Sequence, residues 1–291
     1  QAGVHSGDSS CSIPAFSLSN DIQVEIIRQM KEFTKKLNVI GLVNAQFAIR
    51  KDKIFVLEVN PRASRTVPFV SKATGLQLAK IAAKVMIGVS LEDQGYLKQI
   101  IPDFYSVKGP VFPFNKFPDT DPILGPEMKS TGEVMGTGKT FGEAYIKSQN
   151  AAGIHIPDKG KVFISVREPD KNDKLIELGQ FLANQQFEII ATTGTAEYLN
   201  DNNINCLQIN KVREGSPHIV ELIKSKDIEL IINTTEGKQS IEESFSIRAE
   251  AVISGITYYT SLEAAHATMS SFDFLGDISV NRLQDYNIKN G

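Results

Sequence analysis

Side chains suited to a metal and polyphosphate site cluster where one predicted strand ends. After an apolar run, Glu58, Asn60 and Arg62 occupy alternate positions, so their side chains point to the same face of an extended backbone. Pro61 removes a backbone donor and ends the strand, and Arg65 follows shortly after it. Carboxylate and amide oxygens are ligands that Mg2+ accepts, and arginine binds phosphoryl oxygens through paired hydrogen bonds. The pattern therefore favours a site for a metal ion and a polyphosphate.

The strand upstream is predicted to pair with this one as an antiparallel hairpin. With a three-residue loop at 51–53, Arg50 pairs with Ile54, and Gln46 then stands opposite Glu58. The loop lacks the glycine that three-residue hairpins usually need for a positive φ angle, which weakens this register. The same spacing also fits a polar strand end with exposed salt bridges, which contribute little to stability. Spacing alone leaves both interpretations open.

Length and charge restrict the class of protein. The chain has 291 residues and a formal net charge of -3, which allows two domains and gives no global attraction to nucleic acid or an anionic membrane. No apolar run approaches the length of a membrane-spanning helix. Cys11 and Cys206 match no metal or redox spacing, which predicts free thiols in a reducing cytoplasm. Because Gln1 is not a natural translation start, we expect the chain to be part of a longer protein.

Residues 1–101 are predicted to form one α+β piece. Residues 1–18 are a loop rich in Ser and Gly, where backbone N–H groups can face an anion or simply turn the chain. A helix starts at Ser19, and an irregular connection at 66–74 leads to another helix after Gly75. The apolar stripe of the first helix is Ile22, Ile26, Met30, Phe33 and Leu37. A single hairpin backed by two helices leaves a sheet edge uncovered, so we expect this piece to be incomplete.

Residues 102–153 are predicted to form a connector. Half of the chain's 12 prolines lie in 102–126, which indicates an extended, ordered segment. The glycine-rich stretch 132–138 does not match a phosphate-binding loop, because Glu133 occupies the position of the first required glycine. We expect its glycines to form a turn before a helix at 141–149.

Strands and helices alternate from Lys161 onward. Apolar strands are predicted at 162–166, 187–191, 206–209, 229–232 and 251–253, with a helix from about Ser240 to Glu250 before the last of them. Doubly covered apolar strands that alternate with helices predict a parallel, doubly wound sheet. The expected fold class is therefore α/β, with a partial α+β domain followed by a doubly wound parallel-sheet domain.

Two of these strands end in turns that suit a phosphate. Thr192 to Thr195 and Asn233 to Thr235 lead toward helix N-termini, where hydroxyls, N–H groups and the helix dipole attract an anion. Lys211, beyond another strand, adds positive charge. Threonine also caps helices without any ligand, but two such turns in one small domain favour a phosphorylated ligand. No nucleophile and base pair is evident among these residues, which favours binding without chemistry.

The chain contains several long motifs, namely Gln46 with EVNPRASRTVPFVSKATG at 58–75, SVK at 106–108, FPFNKF at 112–117 and GPEMKSTGEVMG at 125–136. Together these motifs resemble the carboxy-terminal ATP-grasp half of the carbamoyl-phosphate synthase large subunit. The resemblance covers essentially the whole chain and weakens toward the C-terminus. It implies the C-terminal part of an ATP-grasp domain at 1–101, a Pro-rich connector at 102–153 and a methylglyoxal-synthase-like regulatory domain at 154–291.

The resemblance implies roles in the phosphorylation of carbamate by ATP, which gives carbamoyl phosphate for pyrimidine and arginine synthesis. Gln46, Glu58 and Asn60 would bind the Mg2+ or Mn2+ ions of the ATP, and Arg62 and Arg65 would stabilise the transferred phosphoryl group. The residues that would line the nucleotide pocket are Gly3, Val4, His5, Ser6, Gln46 and Glu58. Phosphoryl transfer depends mainly on positioning and charge neutralisation, which suits these side chains.

The resemblance also implies regulation by small molecules. The positions that match a site for a nucleotide monophosphate, with UMP the usual inhibitor in bacterial members, are Lys171, Thr192, Thr195, Lys211, Asn233 and Thr235. Ornithine activates bacterial members through a neighbouring site. Asp8 and Thr260 match that site, but Gly109 stands where an acidic residue is expected, so ornithine regulation stays open here.

By the same resemblance, the protein would act in the cytoplasm with a small glutamine amidotransferase subunit, contacted through a segment before Gln1, and homo-oligomers are possible. The chain alone is expected not to synthesise carbamoyl phosphate. Two alternatives stay open at this point. One is another ATP-grasp ligase, such as a biotin-dependent carboxylase, which would share Glu58 and Asn60. The other is a stand-alone nucleotide-sensing module with a vestigial ATP-grasp piece.

Overall fold

The computed structural model describes residues 4–117, 120–276 and 278–287. The strands are β1 (Cys11–Ile13), β2 (Asn44–Arg50), β3 (Lys53–Asn60), β4 (Tyr105–Val111), β5 (Gly132–Gly138), β6 (Lys161–Ser165), β7 (Glu188–Thr192), β8 (Leu207–Ile209), β9 (Leu230–Asn233) and β10 (Thr257–Tyr259). The helices are α1 (Asn20–Lys36), α2 (Val67–Thr74), α3 (Leu78–Met86), α4 (Phe141–Ala151), α5 (Asp173–Asn184), α6 (Thr193–Asp201), α7 (Ile219–Lys224), α8 (Lys238–Glu243), α9 (Phe245–Ser254), α10 (Leu262–Met269) and α11 (Leu283–Asn287). Short 3-10 helices span Ser6–Asp8, Phe114–Lys116, Glu168–Asp170 and Phe272–Phe274. Within the described ranges no helix is long and apolar enough to cross a membrane.

The turn between β2 and β3 is shorter than the sequence predicts. Arg50 pairs with Lys53, not with Ile54, around Lys51 and Asp52. Both turn residues have positive φ angles, 48° and 61°, and two-residue turns of this kind match the twist of the flanking strands. The predicted three-residue loop is therefore wrong by one residue.

A bulge in β3 restores the predicted pairing at the polar end of the hairpin. Phe47 pairs with Val56 whereas Gln46 pairs with Glu58, so Leu57 is an extra residue. An extra residue in one strand of an antiparallel pair shifts the register by one. The shorter loop and the bulge cancel, and the predicted juxtaposition of Gln46 and Glu58 is confirmed.

Helix α1 packs along the hairpin, as its apolar stripe predicts. Ser19 caps the helix by accepting a hydrogen bond from the Ile22 N–H at 3.4 Å. The rings of Phe33 and Phe47 stack 6.5 Å apart. The stripe is only partly buried. Its last residue, Leu37, follows the end of the helix and is exposed.

Residues 66–74, predicted to be irregular, are mostly helical and contain α2. Pro68 lies in the first turn, where its missing N–H removes no helical hydrogen bond. Gly75 ends the helix with a φ angle of 76°. Proline and β-branched residues have weak helix propensity, and the burial of Phe69 and Ala73 overrides it here.

The stretch 132–138, predicted to be a turn, is strand β5. It pairs antiparallel with β4 along its whole length, so the Pro-rich connector contains two strands of a sheet. Gly136 lies beneath α4, where a Cβ atom would overlap the backbone at Ala144 and Ser148. The glycine therefore permits a helix to pack closely on the strand. The helix predicted after this stretch is confirmed as α4.

The C-terminal sheet is parallel and doubly wound, as predicted. Its strand order is β10-β9-β6-β7-β8, and every neighbouring pair is parallel. Ile164 and Ile232 belong to the core on one side, while Phe163 and Ile231 belong to the core on the other. The chain passes from β6 to β8 in one direction and then crosses to β9 on the other side of β6. This switch in strand order brings the carboxyl ends of β6, β7 and β9 together.

The last strand lies later than the sequence predicts. Residues 251–253 belong to α9, and β10 is formed by Thr257–Tyr259. A short apolar run cannot be assigned to a strand or a buried helix by periodicity alone. The single helix predicted from Ser240 to Glu250 is also two helices, α8 and α9, which meet at Ser244.

Helix α4 packs against the C-terminal domain through a shared core. Gly142 lies directly against the carbonyl of Ser270. The hydroxyls of Tyr145 and Thr268 lie 3.4 Å apart, and Phe272 joins the same core from the C-terminal side. The segment before residue 154 is thus tied by apolar packing to the sheet that follows it.

Candidate functional site

The hairpin presents a row of polar side chains on one face. Gln46 pairs with Glu58, and Asn44 pairs with Asn60 at the next position on the same face. Asn44 is the residue that the sequence analysis missed, although the predicted register already placed it opposite Asn60. The result is one carboxylate flanked by three amide side chains.

The side chains of this row are available to a ligand. The Glu58 carboxylate forms no hydrogen bond or ion pair with the described residues, and this side chain is exposed. The Asn60 Nδ2 atom is buried without a hydrogen-bond partner in the same part of the chain, and buried polar atoms are normally satisfied. Among the described residues no group of three or more His, Cys, Asp and Glu side chains could hold a metal ion alone. A metal here would therefore be held by Glu58 together with amide oxygens and oxygens of the substrate, which is how Mg2+ is usually bound beside phosphates.

Two arginines follow this row with their charges unneutralised. Arg62 donates from Nη1 to the carbonyl of Ala63 at 2.9 Å. The guanidinium of Arg65 lies against the sulfur of Met128. Neither arginine forms an ion pair with a carboxylate of the described residues, and both are exposed. Free guanidinium groups beside a carboxylate and amides suit the binding of phosphoryl oxygens.

The N-terminal loop predicted to line the nucleotide pocket is held in place mainly by its backbone. The His5 N–H donates to the carbonyl of Gly125 at 2.8 Å, and the His5 Nδ1 atom accepts from the Gly7 N–H at 3.0 Å. The carbonyl of Ser6 accepts from Lys108 Nζ at 3.2 Å. Val4 is described and half-buried, whereas the predicted Gly3 lies outside the described residues.

Met128 connects this loop to the hairpin site. Its sulfur contacts the Arg65 guanidinium, and it also lies beside Gly7, where a Cβ atom would come within 2.7 Å of it. The structure therefore brings the N-terminal loop and the arginine region together.

Asp8 has a structural role in this loop. It is 3% exposed, and its carboxylate accepts hydrogen bonds from the N–H groups of Lys129 at 2.8 Å and Ser130 at 2.9 Å. Burial acts to raise the pKa of Asp8, but the hydrogen bonds from Ser130 and Lys129 outweigh it and hold the pKa below the ordinary value. Thr260 is exposed beyond β10, and Gly109 pairs with β5 inside the three-stranded sheet.

A pocket of about 470 Å³ lies at the carboxyl edge of the parallel sheet. Five of the six predicted effector residues line it, namely Lys171, Thr192, Thr195, Lys211 and Asn233. Thr235, the sixth, is not among the lining residues, and its neighbour Thr234 takes that place. The sequence analysis did not identify the wall contributed by Ser240, Glu243, Ser244 and Ile247.

The hydroxyl groups in the pocket join the ends of neighbouring strands. The Thr192 and Ser165 hydroxyls lie 3.1 Å apart, and the Thr195 hydroxyl accepts from the Val166 N–H at 3.2 Å. Because no side chain caps α6, its first N–H groups are left to water or a ligand. An uncapped helix N-terminus in a pocket is a favourable place for a phosphate.

Two lysines line the same pocket as this helix N-terminus. Lys171 pairs with Glu168 at 2.6 Å and lies so close to Gly194 that a Cβ atom there would be 3.2 Å from its Nζ. Lys211 is exposed and forms no ion pair with any described residue. One paired and one unpaired lysine thus surround the position predicted for a phosphate.

Asn233 provides the clearest sign of a ligand. Its side chain is 4% exposed, and its Nδ2 atom has no hydrogen-bond partner within the described ranges. Leaving a buried donor unsatisfied costs about 1–3 kcal/mol. Because Asn233 lines the pocket, a ligand oxygen in the pocket would remove this cost. Apolar side chains of Val166, Val212, Ile219 and Ile247 complete the lining.

Comparisons with known proteins match both parts of the chain. A family model described as carbamoyl-phosphate synthase L chain, ATP binding domain, matches residues 1–94, and one described as MGS-like domain matches residues 174–260. Proteins named carbamoyl phosphate synthase large chain are similar over nearly the whole chain. Those of Xanthomonas campestris pv. campestris and Haemophilus ducreyi are each 52% identical, over 98% and 99% of this chain. That of Pseudomonas syringae pv. tomato is 53% identical over 98% of this chain. The chain spans only 26–27% of the length of these relatives.

Proposed function

The chain belongs to the carbamoyl phosphate synthase large chain family, and from this premise we propose that it carries one wall of an ATP site and a complete effector pocket. The parent protein would phosphorylate carbamate with ATP to give carbamoyl phosphate for pyrimidine and arginine synthesis. It would do so in the cytoplasm with a small glutamine amidotransferase subunit, and homo-oligomers are compatible with this role. Residues 1–101 would be the C-terminal part of the ATP-grasp domain, 102–153 the connector and 154–291 the allosteric domain.

At the ATP site, the hairpin residues would bind the metal ion and neutralise the charge of the phosphates. Mg2+ or Mn2+ would be held by Glu58 with Gln46 and Asn60, and the ion would supply positive charge beside the phosphates. Arg62 and Arg65 would bind the oxygens of the transferred phosphoryl group. Val4, His5 and Ser6 would line the nucleotide pocket. The observation that supports this is the pairing of Gln46 with Glu58, beside two arginines that have no carboxylate partner among the described residues.

The hairpin site alone is too open for phosphoryl transfer. Glu58, Arg62 and Arg65 are all exposed, whereas such catalysis requires donors that are preorganised away from water. We expect the purified chain to form no carbamoyl phosphate from ATP and carbamate. A coupled assay for the product, with a full-length synthase as the positive control, measures this. Product formed at a rate proportional to chain concentration would contradict the proposal.

The C-terminal pocket would bind a nucleoside monophosphate as an effector, with UMP the expected ligand. The phosphate would lie at the N-terminus of α6 between Lys171 and Lys211, with Thr192, Thr195 and Thr235 nearby. The observation that carries this proposal is the buried Nδ2 atom of Asn233, which has no hydrogen-bond partner among the described residues, in a pocket at the switch point of a parallel sheet. The described residues that line the pocket include no His or Cys, which supports binding without catalysis.

A thermal-shift screen against UMP, IMP, ornithine and acetylglutamate tests the class of effector. A ligand at 100 times its Kd raises stability by about 2.7 kcal/mol, which is several degrees in melting temperature. We expect UMP to raise the melting temperature of the chain. We expect no shift from ornithine, since Gly109 supplies no carboxylate and Asp8 is engaged by two backbone N–H groups. A shift with ornithine and none with UMP would reverse the assignment.

A further inference from the structure

An ion pair between the buried Arg248 and the half-buried Asp121 joins the wall of the effector pocket to the segment that precedes β5. Arg248, on α9, is 2% exposed and donates to Asp121 twice, from Nε to Oδ1 at 2.9 Å and from Nη2 to Oδ2 at 2.6 Å. Paired hydrogen bonds of this kind fix orientation as well as distance. Burial acts to raise the pKa of Asp121, but the hydrogen bonds from Arg248 and from the Ile123 N–H keep the pKa below its usual value. The pair is therefore ionic at neutral pH.

On the pocket side, Arg248 holds the corner between α8 and α9. Ser244, at that corner, and Ile247, in the first turn of α9, line the pocket, and Arg248 follows Ile247 directly. Arg248 Nη2 also donates to the carbonyl of Ile241, near the end of α8, at 2.8 Å. One guanidinium thus fixes both helices of the corner and the Asp121 segment. A ligand that displaces the corner must move that segment or break the pair.

On the other side, contacts continue from Asp121 to the N-terminal loop. Lys129 Nζ donates to the carbonyls of Asp121 at 2.8 Å and Ile123 at 2.7 Å. The N–H groups of Lys129 and Ser130 in turn donate to the Asp8 carboxylate. Asp8 ends the short 3-10 helix that directly follows His5. The Asp8 carboxylate therefore joins the N-terminal loop to the backbone at Lys129, and the Lys129 ammonium joins that residue to the segment around Asp121.

One nitrogen of the Arg248 guanidinium forms no hydrogen bond with the described residues. This atom, Nη1, is buried. An unsatisfied buried donor is unfavourable. A shift of α9 that gave Nη1 an acceptor would remove this cost, and a coupling element depends on such a second arrangement.

We infer that the Arg248 and Asp121 pair is the positioning link through which a ligand in the C-terminal pocket acts on the N-terminal loop around His5. The inference rests on the proposed effector role of that pocket. Neither residue lines the pocket or belongs to the hairpin row of Gln46, Glu58 and Asn60, so both act through other residues. Coupling between sites is reciprocal, so the loop would also influence affinity at the pocket.

Hydrogen–deuterium exchange with and without saturating UMP tests this link in the intact chain. The reporters are the amides of His5, Lys129 and Ser130, because their N–H groups make hydrogen bonds that join the N-terminal loop to the segment before β5. In the wild type we expect UMP to change their exchange rates by roughly tenfold, within the usual range of allosteric coupling. In Arg248→Lys and Asp121→Asn we expect the response to vanish while UMP affinity stays within about threefold of the wild type, less than one charged contact is worth.

The variants are chosen to separate coupling from stability. Asp121→Asn keeps the shape of the side chain and one acceptor, so it stays informative if Arg248→Lys does not fold. Arg282→Lys is the matched control, because Arg282 makes a similar two-bond pair with Asp285 that is exposed and local. We expect this control to respond to UMP as the wild type does.

Three results would overturn the inference. UMP could bind the wild type without changing the reporter amides, or the response could persist in both variants, and in either case the effector site would stand without this link. If UMP does not bind the wild type at all, the proposed effector site fails and the link falls with it.

Discussion

A chain carrying Lys211→Ala is expected to bind UMP about 10- to 100-fold more weakly than the wild type, because one charge-assisted hydrogen bond to a phosphate contributes about 1.5–3 kcal/mol. Lys211 lines the pocket, is exposed, and has no ion-pair partner in the part of the chain that the structure describes. Its removal therefore leaves no buried group unsatisfied, and the melting temperature without ligand should not change. Isothermal titration calorimetry of both proteins measures the difference.

The matched control for this prediction is Lys161→Ala. Lys161 begins β6 and so lies at the amino edge of the sheet, opposite the pocket, where it faces Glu188 at 3.7 Å. Both substitutions remove one lysine with a solvent-accessible side chain from the same domain. Equal UMP affinity in the two variants would show that Lys211 does not contact the phosphate.

Gly142→Ala is expected to have the largest effect on stability, lowering the free energy of unfolding by about 3 kcal/mol, at the upper end of what overpacking usually costs. A Cβ atom at Gly142 would overlap the carbonyl of Ser270, and neither backbone can move without separating α4 from α10. Urea unfolding measured by circular dichroism gives the change. Gly125→Ala is the control, since a Cβ atom there would meet nothing within 4 Å.

This prediction also tests how the connector is built. If α4 packs on the C-terminal domain as described, Gly142→Ala will shift the unfolding transition of that domain to a lower urea concentration. A variant that unfolds like Gly125→Ala would mean that α4 and α10 are not in close contact. The proposed connector at 102–153 would then be independent of the effector domain.

The hairpin shows how a correct site can follow from an inexact derivation. Alternation of side chains placed Glu58 and Asn60 on one face, and a loop one residue too long still put Gln46 opposite Glu58. The bulge at Leu57 compensated. No local signal marks that bulge, because Leu57 continues an apolar run and bulges are set by pairing between strands. The register was predictable, but its cause was not.

Glycines explain the main error in the connector. In the stretch 132–138 they were interpreted as a turn, because glycine is the usual turn residue. Gly136 instead makes room for α4, a helix that lies later in the chain. Such a reason depends on a tertiary neighbour and is invisible in a local sequence pattern. The error at 251–253 is similar, since only packing decides whether that apolar run is a strand or a helix.

Most of the predicted pocket residues line the pocket, and one of its walls was not predicted. Strand ends identified the turns at Thr192 and Asn233, and Lys211 followed from its place beyond a strand. Lys171 was implied only by the family resemblance. The wall formed by Ser244 and Ile247 was missed because α8 and α9 were predicted as one helix. Nothing in their local sequence indicates that the chain changes direction at Ser244 and lines the pocket there.

The most direct test of the account is a calorimetric titration of the purified chain with UMP, with uridine as the comparison. We predict saturable binding of one UMP per chain, and binding by uridine that is at least about 100-fold weaker, because uridine lacks the phosphate that α6, Lys171 and Lys211 would hold. No saturable heat with UMP, or equal affinities for UMP and uridine, would contradict a phosphate-binding effector pocket at the carboxyl edge of this sheet.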